Sequence, residues 1–105
     1  MSVPESDWKK FKPLRDKALA RLCDRILAEV GSTTADDALS SHEKYLKIYS
    51  LIRERDKELG QVFDGYSRSK MLPQLSMMQS FKLLEPEELA CFSESTREFL
   101  AGCAR

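Results

Sequence analysis

The 105-residue sequence has no surplus of either charge: 17 Lys and Arg side chains balance 17 Asp and Glu, for a formal net charge of zero. Nothing global therefore recruits nucleic acid or an anionic membrane surface. Glycine and proline are scarce, four of each, while hydrophobic residues reach 42% and charged residues 32%. Those proportions exclude collagen-like, low-complexity and intrinsically disordered classes. No run approaches the roughly 20 apolar residues that a bilayer-spanning helix needs, and the opening MSVPESDWKK lacks the unbroken apolar segment of a signal peptide. No membrane association is expected, and the expected location is the cytoplasm.

Chemistry-bearing residues are equally sparse. Cys23, Cys91 and Cys103 are odd in number, far apart and without CxxC spacing, which argues against a disulfide framework and a zinc site. His42 is the one histidine, and it lies inside a helix-start signal between Ser41 and Glu43. The chain has no GxSxG elbow, no Walker loop and no GxGxxG turn. No catalytic residue is assigned, no metal and no cofactor are expected, and an enzyme is disfavoured. None of the motifs carries a resemblance to a known family.

What the sequence does contain is helical periodicity. Phe11, Leu14, Ala18, Leu22, Ile26 and Val30 recur at three- and four-residue steps, predicting a first helix that begins near Lys12, next to Pro13, and stops at Gly31. Ser40 and Glu43 form a capping-box signal. A second, long helix follows, with Tyr45, Ile48, Tyr49, Ile52, Leu59, Phe63 and Tyr66 along one stripe. The charged run Arg53–Glu58 circles this helix for more than a turn, as expected of a segment only thinly covered by its neighbours. After the polar break at residues 65–70, an apolar stretch from Met71 to Leu84 predicts a third helix. Pro86, followed by Glu87 and Glu88, predicts a fourth that runs to Gly102. The expected fold is thus all-α: a compact, four-helix bundle-like single domain over residues 1–105, with residues 1–7 as a flexible lead-in.

Some residues break this pattern. Asp56 projects to about 20° from Tyr45, inside the apolar stripe of the second helix, and Arg15 falls in the corresponding stripe of the first. If the hairpin turns between residues 30 and 41, both lie the same distance from the turn, so a buried Arg15–Asp56 ion pair is expected. Ser67, Arg68, Ser69 and Lys70 precede a predicted helix N-terminus and form a candidate anion site. The third helix is apolar around most of its circumference, which makes Met71, Leu75, Met77, Met78 and Phe81 a candidate interaction surface.

Three functional readings follow. The foremost is a non-catalytic protein-interaction or oligomerisation module whose partner is a second copy or another protein. The second is a nucleic-acid-binding regulator using the cationic first helix, which carries Lys9, Lys10, Lys12, Arg15, Lys17, Arg21 and Arg25. The balanced net charge disfavours it. The third is a small-molecule binder or enzyme built around Arg15 and Asp56.

Overall fold

The computed structural model describes residues 3–104, and these form an all-α chain without strands. Its axis is α1, Glu5–Thr34, a single helix of 30 residues. The expected start near Lys12 is corrected by two anchors on the first turns. Asp7 is buried against the far end of the chain, and Trp8 and Phe11 stack on Tyr66 with ring centroids 5.0 and 6.2 Å away. Residues 5–7, expected to belong to a flexible lead-in, are therefore helical, while Met1 and Ser2 lie outside the described residues. Pro13 sits inside the helix on an exposed face, where water reaches the carbonyl that its missing N–H leaves free. Gly31 does not stop α1. The Thr33 and Thr34 hydroxyls donate back to the Glu29 and Val30 carbonyls, and the helix continues to its cap at Ala35.

The second helix, α2, spans Ser41–Phe63. Its capping box is present: the Glu43 N–H donates to Ser40 Oγ at 3.1 Å, and the Ser40 N–H donates to Glu43 Oε1 at 2.9 Å. The Ser40 backbone bond also holds the Glu43 carboxyl below its ordinary pKa. The next helix, α3, spans Arg68–Ser80, beginning three residues earlier than the apolar stretch indicated. It closes with Lys82 in the left-handed region at φ 57°, where the Leu83 N–H reaches back to the Met78 carbonyl at 2.9 Å.

The expected fourth helix is two. One short turn, α4, spans Pro86–Ala90, and α5 spans Glu94–Cys103. The chain breaks at Ser93, which is extended (ψ 160°) and caps α5. The break lets α5 fold back over α3, where Gln79 Nε2 donates to the Leu100 carbonyl at 2.9 Å.

The core is built from one stripe of α1 (Phe11, Leu14, Ala18, Leu22, Ile26) against Val62, Phe63, Met71, Leu75, Met78, Leu83, Phe92 and Leu100. Every one of these partners comes from the end of α2 or from beyond it. Helices α3 to α5 thus gather at one end of the α1–α2 hairpin, and the molecule is elongated, 52 × 25 × 24 Å.

The cationic character of α1 has a structural cause. Arg15 donates to the Phe63 carbonyl that ends α2, Arg25 to the Phe81 and Lys82 carbonyls after α3, and Lys10 to the Cys91 carbonyl after α4. Arg21 donates to the Leu83 carbonyl at 2.8 Å and forms a two-pronged pair with Glu88 at 2.7 and 2.9 Å. Cations next to the carbonyl-rich ends of helices satisfy orphan acceptors and complement the helix dipole. One helix thereby terminates three others.

Candidate interaction surface

Because the core lies at one end of the hairpin, most of α2 has little to pack on. Val62 and Phe63 are its buried residues, both in its last turn. Upstream, Tyr45 is 64% exposed, Leu46 48%, Tyr49 55% and Ile52 43%, and Leu27 on the facing stretch of α1 is 64% exposed. Leu59 and Phe63 continue the stripe of Tyr45, Tyr49 and Ile52 into the covered region, with Leu46 to one side of it. The stripe is thus a single helical face whose lower part is core and whose upper part is bare.

Between the two helices of this arm runs an apolar groove of about 320 Å³, lined by Cys23, Ile26, Leu27, Ile52, Asp56 and Leu59, with Arg55 along one wall. Arg55 is held there by Glu29 of α1, with two bonds of 3.1 Å, and by Glu58 one turn along. The bonded Glu29 carboxylate raises the pKa of the Arg55 guanidinium above its ordinary value. Further along, Tyr45, Ile48, Tyr49 and Ile52 form a second apolar patch, with the Arg53 guanidinium 5.7 Å from the centre of the Tyr49 ring.

The structure places the residues expected at functional positions as follows. Met71, Leu75 and Met78 are fully buried, and Met77 and Phe81 are half-buried against the core, so this set forms the interior of the domain and not a free surface. The expectation left one side of the third helix uncovered; the chain break at Ser93 supplies α5 as the missing cover.

Arg15 and Asp56 do not meet. Arg15 donates to Gln74 Oε1 at 3.1 Å and to the Phe63 carbonyl, with its guanidinium over the Phe63 and Tyr66 rings at 5.6 and 5.4 Å. Asp56 is exposed in the groove and forms no ion pair within 4.0 Å among the described residues. Arg15 lies level with residues 63–65, about 10–14 Å along the axis from the expected level. Two lengths explain the slip. Helix α1 runs on to Thr34, and α2 starts beyond its end: Glu29 lies five residues from one helix terminus and its partner Arg55 fourteen from the other.

At the start of α3, Arg68 is turned to α1, paired with Glu5 and 5.9 Å from the Trp8 ring centre, while the Ser67 and Ser69 hydroxyls bond to each other at 3.1 Å. The Lys70 side chain lies across Gly65. Ser67, Arg68 and Ser69 are thus engaged within the chain. No cluster of three or more His, Cys, Asp or Glu side chains placed for a metal ion occurs among the described residues, and no helix there is long and apolar enough to cross a membrane.

Sequence reasoning missed Asp7. Its carboxylate has no solvent exposure and accepts from the Ser93 N–H, the Ser93 hydroxyl and the Thr96 hydroxyl at 2.9, 2.6 and 2.7 Å. Burial by itself raises its pKa, but the hydrogen bonds from Ser93 and Thr96, with Lys10 nearby, outweigh that and hold it below the ordinary 3.8. The available signal was Ser93–Thr96 as a cap in mid-helix, which marks an N-terminus needing an anion.

No protein-family model matches the chain, and neither a curated protein nor a solved structure matches it.

Proposed function

We propose that the chain is a non-catalytic protein-interaction module and that its contact surface is the bare apolar face of the α1–α2 arm. The observation that carries this reading is the run Tyr45, Leu46, Tyr49 and Ile52, each 43–64% exposed, beside Leu27 at 64%. Contiguous exposed apolar surface of this kind marks contact sites, and tyrosines rimmed by arginine are typical anchors of such contacts. The arm is stiffened from within by the Glu29–Arg55 clamp, so it presents its face without first having to order itself.

The nucleic-acid reading finds less support. Arg15, Arg21, Arg25 and Lys10 are turned to carbonyls of the chain, and the aromatic rings of the same helix, Trp8 and Phe11, are stacked on Tyr66 within the chain. The small-molecule reading loses its pair, since Arg15 and Asp56 line different regions. We place the protein in the cytoplasm, a reading supported by three free cysteines of which Cys91 and Cys103 are exposed.

A photoreactive phenylalanine analogue at Tyr49, with the same analogue at exposed Lys12 as the control, tests the contact surface in intact cells. Protein adducts at position 49 in clear excess over position 12 are the expected result. Equal yields at both positions would remove the reading.

A further inference from the structure

We infer that the occupant of this face is a second copy of the same chain, docked antiparallel so that the two arms overlap and the two cores lie at opposite ends. The inference rests on the contact-surface reading above and adds the identity and register of the partner.

Three features point to self-association. The first is Asp56. It interrupts the apolar stripe, about 20° from Tyr45 on the helical projection, and has no ion-pair partner among the described residues. When two copies of α2 pack antiparallel about a two-fold axis between residues 50 and 51, Tyr49 lies opposite the second copy's Ile52. The second copy's Tyr45 then lies opposite Asp56, so its hydroxyl can donate to the carboxylate. A two-fold contact repeats each of these pairings, so one surface satisfies itself twice.

The second feature is length. The same register sets the first residue of the second copy's α2 level with Gly60, just before Val62 and Phe63, where the stripe enters the core. The overlap fills the bare part of the arm and stops where α3 already covers it. From Ser41 to Leu59 the arm is about 28 Å long; it is two helices, about 20 Å, wide only from about residue 50 onward, where α1 runs beside it, and one helix wide before that. Its projected footprint of about 420 Å², larger as accessible area, is that of a small interface at the weak end of the size range, below the roughly 800 Å² per partner of a standard one.

The third feature is charge. The chain has no net charge, so two copies approach without global repulsion.

The test is sedimentation velocity of the full chain from about 1 to 200 μM, combined with maleimide labelling of the same samples read by mass spectrometry. Cys23 lines the groove, whereas exposed Cys91 and Cys103 lie outside it and serve as internal controls. A monomer–dimer equilibrium is expected, with Cys23 labelling slowed at least five-fold as the dimer forms and the two controls unaffected. Ile52→Asp should abolish the dimer while leaving the circular dichroism spectrum unchanged. Tyr45→Phe and Asp56→Ala should each weaken it several-fold, and the double variant no more than either single. A dimer that leaves Cys23 as reactive as in the monomer overturns the inference. So does a chain that stays monomeric to the top of the range. If the Tyr49 photo-adducts then carry a different protein, the contact surface stands and only its occupant is wrong.

Discussion

The Asp7 carboxylate accepts two hydrogen bonds from Ser93, one from its N–H at 2.9 Å and one from its hydroxyl at 2.6 Å, across 86 residues of sequence. It thereby joins the first turn of α1 to the first turn of α5 and sets a negative charge on the positive end of the α5 dipole. The bonds also hold Ser93 in the extended conformation that separates α4 from α5. A carboxylate, a helix cap and the return of α5 over α3 are one arrangement.

Removing the Asp7 carboxylate should therefore loosen α5 and not only α1. Asp7→Ala is expected to lose about 2–3 kcal/mol in chemical denaturation, because Ser93 and Thr96 are left with unmatched donors. Asp7→Asn should show the pH dependence. The folded-state pKa lies below the ordinary 3.8, so the stabilisation is fully present above that value and disappears as pH falls through the folded pKa. Wild type and Asp7→Asn should thus differ at neutral pH, and the gap should be narrower at about pH 2. A gap of the same size at both would show that shape, not charge, is what Asp7 contributes.

Arg15 and Asp56 offer a contrast that measures the hairpin register. Arg15 binds the end of α2 and stacks on Phe63 and Tyr66, whereas Asp56 faces the open groove. Arg15→Ala should cost about 2–3 kcal/mol, since buried acceptors lose a charged donor and two rings lose their cation. Asp56→Ala, measured at a concentration low enough to keep the chain monomeric, should change stability by less than about 0.5 kcal/mol. Comparable losses from the two substitutions, coupled in a double-mutant cycle, would restore the direct pair and refute the register described above.

Much of the architecture was legible because it follows from local rules. The stripe Phe11–Ile26, the Ser40–Glu43 box and Pro86 at a helix start are each decided within a few residues, and each is present. The errors arose where distant residues decide. Ser93 breaks a helix because Asp7 occupies its donors, and Gly31 stays helical because two threonines bond back along α1. The exposed apolar face was misplaced for the same reason. Periodicity says that Tyr45, Ile52, Met71 and Met78 belong to apolar faces, but only the packing of α5 decides which face is covered. The charged run Arg53–Glu58 carried the relevant signal, since a helix ringed by charge has few neighbours.

Arg21 and Glu88 form a planar, two-pronged pair to which the Leu83 carbonyl and the Glu85 N–H are also bonded. A lysine cannot reproduce that fork. Arg21→Lys should lose about 1 kcal/mol, nearly as much as Arg21→Ala, and an Arg21/Glu88 double-mutant cycle should give a coupling of about 1 kcal/mol. The Arg21 guanidinium holds the Glu88 carboxyl below its ordinary 4.5, so the coupling should be complete above that pH and fade as the carboxyl protonates below it. A coupling that is the same at about pH 3 and pH 7 would contradict this.

The last prediction concerns two residues that each occupy the conformation suited to the other. Gly31 lies within α1 with open space where a Cβ would project, and pays the entropic cost of glycine in a helix for no packing return. Lys82 takes the left-handed turn after α3 at φ 57°, which glycine adopts without strain. Gly31→Ala and Lys82→Gly should each raise stability by about 0.5–1 kcal/mol. The sites are separate, so the double variant should gain the sum. Thermal melts of the four proteins decide the matter. A loss of stability in Gly31→Ala would mean that α1 needs a glycine's freedom at that point. A loss in Lys82→Gly would mean that the lysine side chain supports the turn that Arg25 caps.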